Sequence, residues 1–120
     1  MPFVRIDAVG TDKLEALGNA VHDAMVETLG IPADDRFQVL NGRSTLKFDD
    51  YLGIHRDEGV VFVAITMRRG RTDVQKKSLY RRVAELAEEY AGTEPRNVLV
   101  TITENEPVDW SIGNGEAHYA

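Results

Sequence analysis

Residues 60–75 read VVFVAITMRRGRTDVQ, in which an apolar run passes into an arginine-containing loop and then into the start of a helix. The β-branched run from Val60 to Met67 is typical of a buried strand. Thr72 and Gln75 have the spacing of a capping box, in which each side chain satisfies a free backbone N–H at the first turn of a helix. The segment therefore predicts a strand, a loop and a helix.

The same order of elements occurs in both halves of the chain, which indicates an internal repeat. The predicted elements are a strand at 3–9, a helix between Thr11-Asp12 and Gly30, a strand at 36–40, a strand at 60–67, a helix between Thr72-Asp73 and Gly92, and a strand at 97–103. A helix that connects neighbouring strands normally makes them parallel. The sequence thus predicts one α/β (α+β) domain over 1–120, with β-α-β units at about 2–42 and 60–104.

Two helices can cover only one face of the predicted four-stranded sheet. Their buried stripes are predicted to be Leu14, Leu17, Val21, Ala24, Met25 and Leu29 in the first helix, and Val74, Leu79, Val83, Leu86, Ala87 and Tyr90 in the second. The uncovered face is predicted to carry the apolar residues Val39, Val61, Val63 and Ile65. An apolar sheet face is more economically buried than left in water, so a homo-oligomer is expected.

Composition excludes several classes of protein. The 120 residues are 42% hydrophobic and 28% charged, which is typical of a globular domain. A net charge of −6 disfavours nucleic acid as a partner, and the absence of cysteine excludes disulfides and thiolate nucleophiles. No apolar run is long enough for a membrane span, and charges interrupt the N-terminal apolar stretch, so neither a membrane partner nor a signal peptide is predicted. A cytoplasmic location is expected.

Two segments lie outside the repeat. Residues 43–59 form a connection for which a short strand is predicted at 51–54. Residues 107–120 contain Trp110 and the turn-forming Gly113-Asn114-Gly115, and they are predicted to form a hairpin or an arm that docks on a neighbouring subunit.

Pro2 is the first candidate for chemistry. If Met1 is removed, Pro2 presents a secondary amine, and such an amine can act as an acid or a base near neutral pH when burial or nearby cations lower its pKa. With Met1 retained, the nitrogen is an amide and cannot be a base. Proline is also tolerated as the first residue of a strand, which is an alternative explanation for its presence.

Charged clusters supply further candidates. Arg68, Arg69 and Arg71 lie where a strand hands over to a helix, so they fit either a carboxylate or phosphate site or a solvated basic turn. Asp34 and Asp35 precede the second strand, where aspartates usually only form turns.

Other chemistry is not supported by the residue pattern. His22, His55 and His118 do not have the spacing of a metal site, and no serine lies in a nucleophile elbow. Neither a metal nor a cofactor is therefore predicted.

The sequence resembles the tautomerase superfamily, and within it the malonate semialdehyde decarboxylase branch, over nearly the whole chain. The stretches that carry the resemblance are 2–7 (PFVRID), 31–39 (IPADDRFQV), 51–54 (YLGI), 70–72 (GRT), 103–105 (TEN) and 109–113 (DWSIG). The resemblance implies a tautomerase-like trimer with one site per subunit around the N-terminal proline.

The resemblance also implies roles for individual residues. Pro2 and Asp35 would be catalytic, Arg71 with Arg69 (or else Arg68) would hold a substrate carboxylate, and Trp110 would form an apolar wall. The expected activity is decarboxylation of malonate semialdehyde or a related 3-oxo acid. Keto-enol tautomerisation of 2-oxo acids such as phenylpyruvate is an alternative, and a non-catalytic oligomeric binding protein with the same fold is another. The chain stops at Ala120, whereas family members usually continue and use that extension to close the pocket.

Overall fold

A computed structural model describes all residues from Met1 to Ala120. Its main elements are β1 (Pro2–Ala8), α1 (Leu14–Leu29), β2 (Gln38–Asn41), β3 (Val61–Arg68), α2 (Asp73–Ala91) and β4 (Val98–Asn105), with short 3₁₀ helices at Pro95–Asn97 and Pro107–Asp109. The two β-α-β units are thus confirmed, and the strand and helix bounds differ from the predicted ones by three residues or fewer.

The four strands form one sheet in the order β2-β1-β3-β4. The pairs β1–β2 and β3–β4 are parallel, as the crossover helices require. The two units join through an antiparallel β1–β3 pair, whose register runs from Pro2 opposite Met67 to Ala8 opposite Val61. The start of β1 therefore lies beside the end of β3.

Both helices end where the sequence signals predict, and α2 also begins there. Gly30 and Gly92 adopt the left-handed conformation that closes α1 and α2, and the capping box of Thr72 and Gln75 is present at the start of α2. The two helices cover the sheet face that carries Val4, Ile6 and Ala8 and bury it in the core.

The structure corrects the predicted faces. Val61, Val63 and Ile65 face the helices rather than solvent, because they share a face with Val4 and Ile6 in the β1–β3 register. The uncovered face instead carries Phe3, Val39, Phe62, Ala64, Thr66 and Leu99, of which Phe3, Val39 and Leu99 are about two-fifths exposed (44%, 40% and 42%).

Two predicted buried positions of α2 are also wrong. Val74 is 74% exposed, because it lies five residues before Leu79 and a helix turns about 100° per residue, which places it well away from the buried stripe. Tyr90 is partly exposed, and its hydroxyl donates a hydrogen bond to Asp23 of α1 over 2.7 Å.

The connections differ from expectation as well. Leu52 and Gly53 both have positive φ (59° and 72°), so residues 51–54 form a turn and not a strand. The C-terminal segment forms no hairpin, although the predicted turn at Gly113-Asn114-Gly115 is present. No helix has the length and apolar composition needed to cross a membrane.

A cavity of about 450 Å³ lies at the end of the sheet where β1 ends and β3 begins. Its lining includes Ala8, Val61, Lys13 and the carboxylates of Asp12, Asp57, Glu58 and Glu94. None of the predicted site residues lines it. The candidate site lies at the opposite end of the sheet.

Candidate active site

The candidate site forms where the chain terminus meets the end of β3. Because Pro2 pairs with Met67, extending the antiparallel register by one residue places Met1 opposite Arg68. The Met1 side chain is buried, with only 4% of its surface exposed. The terminal amino group lies 3.7 Å from Oδ2 of Asp35, whose side chain is also largely buried.

Asp35 is delivered by the loop between α1 and β2. A turn hydrogen bond from the Asp35 N–H to the Pro32 carbonyl (3.1 Å) bends this loop, and Ile31 anchors it in the core. At its far end, the Phe37 carbonyl accepts a hydrogen bond from the Val4 N–H over 3.0 Å. Asp35 is therefore attached on both sides to structure that is packed against β1.

Side-chain hydrogen bonds to α1 also fix the position of this loop. Arg36 donates a hydrogen bond to the Asn19 side chain (2.7 Å), and buried His22 bonds through Nε2 to the Ala33 carbonyl (2.8 Å). The side-chain amide of Gln38 donates a hydrogen bond to the Gly18 carbonyl over 2.8 Å. A side chain at position 18 would crowd this contact, since its Cβ would lie 2.7 Å from the Gln38 amide oxygen. These contacts fix the position of the Asp35 carboxylate relative to the chain terminus.

The arginines at the end of β3 and in the loop that follows divide into two kinds. Arg69 forms an ion pair with Glu106 over 2.8 Å and is mostly exposed. Arg68 and Arg71 form no ion pair, and Nε of Arg68 is buried without a hydrogen-bond partner. Two unpaired guanidinium groups thus remain at the site in a chain of net charge −6.

An apolar pocket of about 120 Å³ adjoins the terminus. It is lined by Met1, Phe3, Phe37, Trp110, Ser111 and Ile112. Trp110 is held by a hydrogen bond from its indole N–H to the Asn105 side chain (2.7 Å), at the end of β4. A carboxylate group at the arginines and an apolar group at this pocket would both lie next to the amine.

Burial lowers the pKa of the terminal amino group below its usual value of 8.0. The positive charges of Arg68 and Arg71 lower this pKa further, and the negative charge of Asp35 opposes the shift. The pKa of the Met1 amine is thus lowered toward neutral pH, where an amine can both donate and accept a proton.

Asp35→Asn is expected to lower the pKa of the terminal amine further, since it removes the carboxylate that favours the charged form. Arg71→Ala is expected to raise it, because a repelling charge is lost. The pH dependence of amine acylation in the protein that carries Met1 measures both shifts. Asp34→Asn is the matched control, and a pKa unchanged by Asp35→Asn would contradict the assigned proximity.

The structure brings together Pro2, Asp35, Arg71 and Trp110 among the residues predicted from sequence. It brings Arg68 rather than Arg69 to the terminus, because successive strand residues point to opposite faces and Arg69 turns toward Glu106. Sequence reasoning missed Phe3, Phe37 and Ile112 in the pocket wall. Extending the parallel β1–β2 register by one residue places the first two opposite each other, a relationship that depends on strand pairing.

Models of known families match most of the chain. A tautomerase enzyme model matches residues 35–113, and a second one matches residues 2–42. The chain belongs to the tautomerase superfamily.

Two curated tautomerase relatives come from Bacillus subtilis (strain 168). The probable tautomerase YusQ is 34% identical and the alignment covers 98% of this chain and 97% of the relative; for the probable tautomerase YrdN the values are 32%, 99% and 96%.

Solved structures place this member of the tautomerase superfamily in the malonate semialdehyde decarboxylase branch. A malonate semialdehyde decarboxylase is 34% identical with a TM-score of 0.86, covering 98% of this chain and 95% of its own. FG41 malonate semialdehyde decarboxylase inhibited by 3-bromopropiolate is 36% identical with a TM-score of 0.89, covering 98% and 93%. A fused 4-OT symmetric trimer shares the fold at 21% identity and a TM-score of 0.71, covering 98% and 96%. Members of the superfamily are enzymes, isomerases or decarboxylases, and so is this chain.

Proposed function

We propose that this tautomerase-superfamily enzyme acts on a small oxo acid through the amine of Pro2 after Met1 is removed, and that its reaction is decarboxylation of malonate semialdehyde or a related 3-oxo acid. The observation that carries the proposal is the pair of arginines without ion pairs, Arg68 and Arg71, which lie with Asp35 at the chain terminus and act on the charge of the Met1 amine there. The likeness to malonate semialdehyde decarboxylases at 34% and 36% identity supports the choice of reaction.

Substrate binding begins with the carboxylate. Guanidinium groups bind carboxylates through paired N–H donors, so Arg71 and Arg68 can fix both the position and the rotation of this group. Decarboxylation of a 3-oxo acid requires that the breaking C–C bond align with the π-system of the carbonyl group. Holding the carboxylate in that orientation supplies part of the rate enhancement as pre-organisation.

The Pro2 amine then acts on the carbonyl group. In its protonated form it donates a hydrogen bond to the carbonyl oxygen, where negative charge develops as the enolate forms. Asp35 favours this protonated form by its charge and orients the carbonyl or a water molecule. Carbon dioxide leaves, and the enolate takes up one proton at carbon to give acetaldehyde from malonate semialdehyde.

The apolar wall contributes to the same step. Phe37, Trp110 and Ile112 border the space next to the amine and limit water there. Such apolar surroundings disfavour the charged carboxylate relative to neutral carbon dioxide, so they promote loss of the carboxylate.

Tautomerisation of 2-oxo acids such as phenylpyruvate is the second candidate. Burial and the charges of Arg68 and Arg71 lower the pKa of the Met1 amine, and we expect the same charges to act on the Pro2 amine once Met1 is removed. A neutral amine is the form that can remove a proton from carbon. The names of the two curated relatives, both probable tautomerases, favour the same reaction.

The uncovered sheet face supports assembly into a homotrimer. Phe3, Val39 and Leu99 are exposed apolar residues on this face, and the fused 4-OT neighbour is a trimer. Phe3 also lines the pocket, so a second copy on this face would adjoin the site. Burial of such a face is more favourable than its exposure to water.

A paired assay of the wild-type protein and Pro2→Ala tests the proposal. Each is incubated with malonate semialdehyde, with acetaldehyde as the product measured, and with phenylpyruvate, with the enol measured by absorbance. The wild-type protein is expected to turn over malonate semialdehyde faster, and Pro2→Ala to lose most of this activity. Faster conversion of phenylpyruvate would favour the tautomerase, and equal turnover by both proteins would refute a role for Pro2.

A further inference from the structure

The C-terminal segment contacts the site through Tyr119. The guanidinium carbon of Arg68 lies 4.0 Å from the centre of the Tyr119 ring, which is a cation–π distance. The segment is folded back on itself by a hydrogen bond from the Ile112 N–H to Nδ1 of His118 (3.1 Å). Tyr119 follows this closure directly, and Ile112 lines the apolar pocket.

Stacking and hydrogen bonding use different parts of a guanidinium group. The guanidinium carbon of Arg68 lies over the ring of Tyr119, whereas the N–H donors lie in the guanidinium plane. The buried Nε of Arg68 has no partner, and no carboxylate forms an ion pair with this side chain. The contact therefore orients the arginine without engaging any of its N–H donors.

Arg69 provides a comparison within the same loop. It has no aromatic contact of this kind, and Glu106 pairs with it at 2.8 Å. Of these two neighbouring arginines, Arg69 is paired with a carboxylate. Arg68 lies over an aromatic ring next to the chain terminus, and its N–H donors have no partner. This difference indicates that Arg68 is the one available to a ligand.

We propose that Tyr119 is a positioning residue, which stacks on Arg68 and holds its in-plane donors toward the carboxylate of the substrate. The C-terminal segment thereby sets affinity for the acid group. This inference rests on the proposed function, since it assumes that the site takes a carboxylate. With a 2-oxo acid such as phenylpyruvate, which keeps its carboxylate through tautomerisation, it predicts an effect on binding rather than on the chemical step.

Tyr119→Leu tests the inference, with Tyr119→Phe as the variant that keeps the ring. Calorimetric titration with malonate, an unreactive dicarboxylate, gives Kd, and steady-state assays give KM and kcat for phenylpyruvate and for its methyl ester. Tyr119→Leu is expected to raise Kd for malonate and KM for the acid by about 3- to 30-fold, with kcat and the ester unaffected. Tyr119→Phe is expected to match wild type. Tyr80→Leu, on the outer surface of α2, is the control for loss of a tyrosine.

Three results would overturn the inference. The first is an unchanged Kd for malonate in a folded Tyr119→Leu protein, or no binding of malonate by the wild type. The second is an equal loss in Tyr119→Phe, and the third is equal impairment with the acid and the ester. The malonate titration requires no turnover, so failure of the proposed reaction would leave this test intact.

Discussion

Protein that retains Met1 is expected to turn over its substrate at least about 10² to 10⁴ times more slowly than protein that begins at Pro2, since general acid–base catalysis contributes about that factor. Two physical reasons apply. The nitrogen of Pro2 is an amide when Met1 precedes it, and an amide neither donates nor accepts the required proton. In addition, the Met1 side chain is 4% exposed and forms part of the apolar pocket, so it occupies space beside the site.

One preparation can supply both forms. The protein is expressed with methionine aminopeptidase inhibited, and half of the sample is then treated with the peptidase, with intact mass reporting the loss of Met1. Activity is expected to appear in step with that loss. Pro2→Ala treated in the same way separates the need for a free terminus from the need for the proline ring. Equal activity before and after processing would show that the terminal amine takes no part.

Arg71→Ala is expected to reduce kcat/KM for the acid substrate by about 30-fold to several thousand-fold if bound substrate buries the pair, because loss of one member of a buried hydrogen-bonded charge pair costs about 2 to 5 kcal/mol. Arg71 is half-buried and free of ion pairs, and its charge acts on the terminal amine. The loss is expected mainly in KM if the arginine holds the carboxylate equally in the ground and transition states.

Arg81→Ala is the matched control, since Arg81 is an exposed arginine of α2. Arg69→Ala distinguishes the two neighbours in the loop, and a small effect is expected because Glu106 already pairs with that side chain. Kinetics of Arg71→Ala that match wild type would show that residues 68–71 are only a basic turn.

Local signals predicted most of the fold. The capping box at Thr72 and the glycines at positions 30 and 92 are interactions within a few residues, so their outcome follows from the sequence alone. The repeat then determined that strands within a unit are parallel. The mistaken face of β3 has a different origin: Val61 to Met67 is apolar on both sides, so alternation does not say which set of side chains meets the helices.

The site was less predictable because the pairing of strands, rather than any local sequence pattern, brings its residues together. That Arg68 rather than Arg69 lies at the terminus depends on Pro2 pairing with Met67, and a shift of one residue would exchange the two arginines. The contact of Tyr119 with Arg68 joins residues that are far apart in sequence and depends on how the C-terminal segment folds back. No local pattern in the sequence specifies such a contact.

The central β1–β3 pair relates the two units by an approximate twofold axis, so the ends of the sheet are pseudo-equivalent. At one end the start of β1 meets the end of β3, and at the other the start of β3 meets the end of β1, beside the acidic cavity. At that second end the chain continues, and the Val60 nitrogen is a peptide N–H that donates to the Asp57 carbonyl. Duplication of the unit thus creates two matching corners, but a chain has a single amino terminus and can equip only one of them with a terminal amine.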